Sequence, residues 1–211
     1  MRRLLLGAAL GVLLAGSAGA QSSYDNLMIA VREGRVAQVR ALLDKGLDPD
    51  TTDQAGNTIL MLAARHGQRE LVDFLLSRKA SIARRNPFGD TALMMASLAG
   101  SLPIVKDLVD AGGEVQGKGW TALHYAAIDG HEDIVRFLLE HGADKDGRAP
   151  NGYTPLMLAA RGGHIAAAQA LLYVDADAKA RGYAGETAMK IAAEKGFEEF
   201  VELLKRAGAV E

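Results

Sequence analysis

Five histidines, seven methionines, three spaced aspartates and one glycine-rich loop are the residues of this chain whose types could do chemistry. The histidines are His66, His124, His131, His141 and His164. No two stand four apart, the spacing at which one helix face holds zinc, so spacing reads them as structural. Gly112 to Lys118 has the outline G-x-x-x-x-G-K of a phosphate-binding loop. Gly119, however, occupies the place of the magnesium-binding Ser or Thr, and the stretch leaves a helix, not a strand. Asp48, Asp50 and Asp53 begin like a calcium loop but lack its glycine at the sixth position and its glutamate at the twelfth. Ser77, Ser81, Ser97 and Ser101 sit in no nucleophile elbow with a base in reach. No catalytic constellation and no cofactor site emerges, so the chain is expected not to be an enzyme.

The elements that must position these residues are clearest in Gly119 to Asp144, GWTALHYAAIDGHEDIVRFLLEHGAD. A first helix is predicted from Thr121 to Ile128, with Thr121 as N-cap and Gly130 as stop, because a residue without Cβ enters the left-handed region at little cost. A second is predicted from Glu132 to His141, with Ile134, Val135, Leu138 and Leu139 forming one apolar stripe. Helices this short cannot bury their own apolar faces, so the unit needs copies. TILMLA at Thr58, TALMMA at Thr91, TPLMLA at Thr154 and TAMKIA at Thr187 are those copies, with a degenerate DNLMIA at Asp25. The closing glycine recurs at Gly34, Gly67, Gly100, Gly130, Gly163 and Gly196, at intervals of 33, 33, 30, 33 and 33.

That period and the Thr-x-Leu-x-x-Ala signature resemble the ankyrin-repeat family over about residues 24–210. The resemblance implies an all-α ankyrin-repeat solenoid of about six helix-turn-helix repeats with short β-hairpin loops. The repeats fall at about 21–53, 54–86, 87–116, 117–149, 150–182 and 183–211. Polar residues such as Arg32 and Arg40 in the first repeat and Glu198, Glu199 and Lys205 in the last suit end caps, so the array reads as complete. The connection from Gly112 to Gly119 is three residues short, which should clip one finger and leave a notch. A tolerated loop deletion and a groove shaped for a partner both account for it.

The resemblance also assigns roles. His131 and His164, directly after the closing glycine, are expected to help start the second helix, and His124 to bond to the adjacent turn. Where the signature has histidine, four repeats carry Met28, Met61, Met94 and Met157, and the sixth has Lys190. Such a thioether ladder suits inter-repeat gap filling, and also soft-metal binding or oxidation. Members bind partners, mostly proteins, through finger tips and the exposed side of the first helices. The implied binding residues are Arg65, His66, Phe88, Leu98, Trp120, Ile128, Tyr153, Arg161 and Tyr183, with Asn57, Asp90, Asp129 and Glu194 beside them. Aromatic and arginine enrichment fits an interface hot spot, with Trp120 expected largely outside the core.

The first twenty residues stand apart from the repeats. Arg2-Arg3, the apolar run Leu4 to Leu14 and Ala18-Gly19-Ala20 compose a secretory signal peptide over 1–20, with Gln21 the first mature residue. The run is shorter than the ~20 residues of a spanning helix, so no membrane association is expected after cleavage. There are no cysteines, hence no disulfide and no lipid attachment at the cleavage site. Lys and Arg total 24 against 26 Asp and Glu, with no basic run, which argues against nucleic acid as partner. The expectation is a monomeric, cofactor-free protein of a bacterial periplasm that binds another protein. The alternatives are an accessory factor for an exported enzyme, for example an antioxidant one, a soft-metal or haem handler, and a secreted effector that binds a host protein.

Overall fold

A computed structural model describes residues 21–209. The expected signal peptide, 1–20, lies outside the described residues. Twelve helices follow in chain order: α1 (21–32), α2 (Val36–Asp44), α3 (Ile59–Arg65), α4 (Arg69–Ser77), α5 (Ala92–Leu98) and α6 (Leu102–Asp110). The second half holds α7 (Ala122–Asp129), α8 (Glu132–Glu140), α9 (Pro155–Gly162), α10 (Ile165–Tyr173), α11 (Ala188–Glu194) and α12 (Glu198–Arg206). They form helix pairs stacked in one direction. Odd-numbered helices from α3 to α11 pack on one another as an inner layer, and even-numbered helices line the outer side. The all-α solenoid read from the sequence is the architecture observed.

Four of the five inner helices, α3, α5, α9 and α11, start the same way. Thr58, Thr91, Thr154 and Thr187 accept a hydrogen bond on Oγ1 from the backbone N–H three residues on, at 3.1–3.4 Å. These threonines are almost fully buried, so water could not replace the bond, and the hydroxyl is what makes burial of the helix start tolerable. The inner layer is close because it is built of small residues. Ala63, Ala64, Ala126, Ala127, Ala159 and Ala192 have no exposed surface. The outer helices contribute the larger side chains, such as Leu71, Ile104, Ile134, Leu171 and Phe200, to one core cluster running from Leu27 to Ala209. In α8, Ile134, Val135 and Leu138 are fully buried and Leu139 is half-buried, so the predicted stripe is narrower by one residue.

The hairpin loops differ from expectation in one respect. Among the described residues they hold no β-strand, only an isolated antiparallel bridge between Thr52 and Thr58. Four of the five fingers are instead tight turns closed by a few backbone bonds, too short to extend into a ladder.

Candidate partner-binding surface

Four fingers share one geometry. Asp53 N–H bonds Asn57 O, Asn86 bonds Asp90, Ala149 bonds Tyr153 and Gly182 bonds Glu186, all at 2.8–3.0 Å. The fourth turn residue is Gly56, Gly89, Gly152 or Gly185, each at positive φ. The aspartates of the calcium-like stretch serve these turns: Asp53 Oδ1 accepts from Ala55 and Asn57 N–H, and Asp50 Oδ1 from Ser81 N–H of the next repeat. Neighbouring fingers also cover each other. A Cβ placed on Gly56 would lie 2.5 Å from the Pro87 ring, and one on Gly152 2.7 Å from Tyr183.

The notch has a clear structural basis. The positive-φ residue after each outer helix and the finger glycine stand ten apart as Gly46 and Gly56, Lys79 and Gly89, Gly142 and Gly152, and Asp175 and Gly185. Gly112 and Gly119 stand seven apart, so the deletion lies between them. The shortened loop has no closing turn bond and is held by its neighbours, Gln116 Nε2 donating to Gly142 O and Glu114 pairing with Arg85 at 2.9 Å.

The signature position is a capping site. His124 is fully buried. Its Nδ1 lies 3.2 Å from Thr121 N–H and 2.7 Å from the Thr121 hydroxyl, and its Nε2 3.1 Å from Gly147 O. A carbonyl only accepts, so Nε2 carries the proton, Nδ1 accepts and the ring is neutral. Burial pushes its pKa down, while the carbonyls of Gly147 and Tyr153 pull it up. Met61 takes the same place: its Sδ accepts from Thr58 N–H at 3.4 Å while its own N–H donates to Thr58. Met61, Met94 and Met157 are buried at helix starts, as apolar filling, and Met28 is half-buried within α1.

His131 and His164 depart from expectation. Neither side chain caps its outer helix. Their rings cover the closing glycine of the preceding repeat, where a Cβ on Gly100 would meet His131 at 2.5 Å and one on Gly130 would meet His164 at 2.4 Å. The stack is an inter-repeat contact that needs the third dimension to be seen. His141 lies on Phe137, centroids 4.0 Å apart, at the end of α8.

The expected binding residues divide by exposure. Phe88 is 79% exposed and Tyr183 72% exposed at finger tips, Arg65 and Arg161 are exposed on inner helices, and His66 is exposed just past the end of α3. Leu98, Trp120, Ile128 and Tyr153 are half-buried. Trp120 therefore does not stand largely outside the core. It stacks on Tyr125 at 5.4 Å, meets His124 edge-on at 5.7 Å and packs against the core cluster. Tyr153 is anchored too, its hydroxyl donating to Glu186 at 3.3 Å, and burial followed by the Glu186 charge raises its pKa. Asn57 and Asp90 are engaged: Asn86 Nδ2 donates to both, and Asp90, buried, accepts from the Tyr125 hydroxyl at 2.7 Å. Sequence reasoning passed over Tyr125, although it is the one aromatic in the register of Leu62, Met95, Leu158 and Ile191. Ile29, 46% exposed on α1, and Tyr173, 82% exposed on α10, were also missed, because one stripe does not show which end of a helix stays uncovered.

Comparison with known proteins agrees with this geometry. The family model for ankyrin repeats in three copies matches overlapping stretches, residues 5–86, 27–118, 79–149, 108–182 and 146–210, and the chain belongs to the ankyrin-repeat family. Over 55 residues it is 42% identical to protein phosphatase 1 regulatory subunit 27 of Homo sapiens, covering 25% of this chain and 36% of that protein. It is 49% identical over 49 residues to potassium channel AKT3 of Oryza sativa subsp. japonica, covering 23% and 5%. It is 59% identical over 32 residues to the NAD-capped RNA hydrolase NUDT12 of Homo sapiens, covering 15% and 7%. The chain thus spans from a twentieth to just over a third of the length of these curated relatives.

Proposed function

We propose that this protein is a non-catalytic binding module that, after export to a bacterial periplasm, grips another protein along its finger tips and inner helices. One observation carries the binding reading: Phe88 and Tyr183 hold large apolar rings in solvent at the tips of two fingers whose backbones are tied down. Exposed aromatics on a rigid support lose little side-chain freedom when a partner covers them, which suits hot-spot residues. Arg65, His66 and Arg161 extend the surface along the inner helices, and Trp120 and Tyr153 support it from beneath. The export reading rests on Arg2-Arg3, the apolar run and Ala18-Gly19-Ala20. A relative named as a phosphatase regulatory subunit favours a second reading, an accessory factor for an exported enzyme.

Osmotic-shock fractionation with N-terminal sequencing checks location: the mature chain should start at Gln21, and an intact Met1 in the cytoplasm would overturn export. Affinity capture from the same fraction, with Phe88→Ala and Tyr183→Ala combined, checks the surface. The double variant should fold and lose its partner. Undiminished capture would place binding elsewhere.

A further inference from the structure

The notch is an opening in the finger row, and its sequence cause can be named. In the regular fingers the second turn residue covers the preceding finger's glycine, Pro87 over Gly56 and Tyr183 over Gly152. In the shortened finger that place belongs to Gly117, which has no side chain, and nothing lies within 4 Å of a Cβ placed on Gly89. The gap is a cleft of about 450 Å³ between the tips of the third and fourth repeats. Phe88 and Pro150 form its sides, Trp120 lines it from the supported position on Tyr125, and Arg85 and Lys118 are its charged lining residues.

No carboxylate lines the cleft. Arg85 is partly neutralised by Glu114, whereas Lys118 has no ion pair or hydrogen bond among the described residues. The volume falls in the roughly 300–1,000 Å³ range of pre-formed ligand sites. From these features we infer that the cleft between Phe88, Trp120 and Pro150 receives an aromatic side chain of the partner protein, from a segment whose flanking carboxylates meet Lys118 and Arg85. The inference rests on the reading of the finger row as a protein-binding surface. The aromatic side chain would cover the exposed face of Phe88, and the carboxylates supply the charge that Lys118 lacks.

Trp120 is the chain's one tryptophan, so its fluorescence reports on this cleft. The probes are three capped peptides, Glu-Glu-Phe-Glu-Glu, Lys-Lys-Phe-Lys-Lys and Glu-Glu-Ser-Glu-Glu, titrated into the mature protein. The first should shift Trp120 emission and bind at least tenfold more tightly than the other two, with affinity falling as salt rises. Lys118→Glu should reduce that affinity at least tenfold. Gly117→Pro restores the ring found at Pro87 and Pro150 and should abolish the Trp120 response while far-UV circular dichroism stays unchanged. Equal binding of the basic peptide, an unaltered response in Gly117→Pro, or no response to any peptide would overturn the inference. If the full protein still captures its partner in those cases, the finger-row function stands and only the cleft's role is lost.

Discussion

Replacing His124 with methionine exchanges the one histidine at the signature position for the residue that Met61, Met94 and Met157 already place there. The fold should survive, because Met61 shows a thioether accepting the N-cap N–H in that environment. The loss is the bond from Nε2 to Gly147 O, worth about 0.5–1.5 kcal/mol net, so the variant should be about 1 kcal/mol less stable near neutrality. The pH dependence is the sharper test. Burial holds the folded-state pKa of His124 below its ordinary value, so below about pH 6.5 the unfolded chain binds a proton that the folded chain refuses. The neutral ring's stability contribution is therefore complete above about pH 6.5 and is lost as pH falls toward the folded value, at up to about 1.4 kcal/mol per pH unit. His124→Met removes that slope, so the gap between the proteins should narrow as the solution is acidified. Urea unfolding followed by circular dichroism, at about pH 7.5, 6 and 5, measures it. Carboxylates common to both proteins cancel in the comparison. An identical pH slope in the two would refute the buried, neutral histidine.

Gly130→Ala places a Cβ 2.4 Å from the His164 ring at φ +77, whereas Gly67→Ala at φ +68 meets nothing within 4 Å. Both incur the left-handed penalty of about 1–2 kcal/mol, and Gly130→Ala should lose about 1 kcal/mol more in chemical unfolding; equal losses would deny that histidine covers glycine across repeats. Leu138 and Leu204 are both fully buried, but α12 has described helices on one side only. Leu138→Ala should cost ~2–5 kcal/mol and unfold the array, while Leu204→Ala should cost less and release the amides of α12 to hydrogen exchange first. One cooperative transition with equal losses would contradict the nearest-neighbour solenoid.

Much of the architecture was legible in the sequence because ankyrin repeats are specified locally. Thr58, Thr91, Thr154 and Thr187 cap helices through residues three places on, and Gly130 ends one through its own backbone, so periodicity alone set the helix order and the shortened interval. What the tertiary structure decided are the contacts one period apart. His164 packs on Gly130 from 34 residues away, and Tyr125 reaches Asp90 across 35. A contact of the same kind, His131 over Gly100, turned His131 from a helix starter into an inter-repeat cover, while Trp120 lies half-buried on Tyr125 and His124 of its own repeat. Whether a finger residue stands free or serves its neighbour depends on its place in the turn and on what the adjacent repeat offers: Phe88 is bare like Ala55, Asn151 and Ala184 at the same turn place, while Tyr153 is tied down because Glu186 accepts its hydroxyl. A repeat's own sequence sets its helices, and its neighbours' side chains decide which surface remains for a partner.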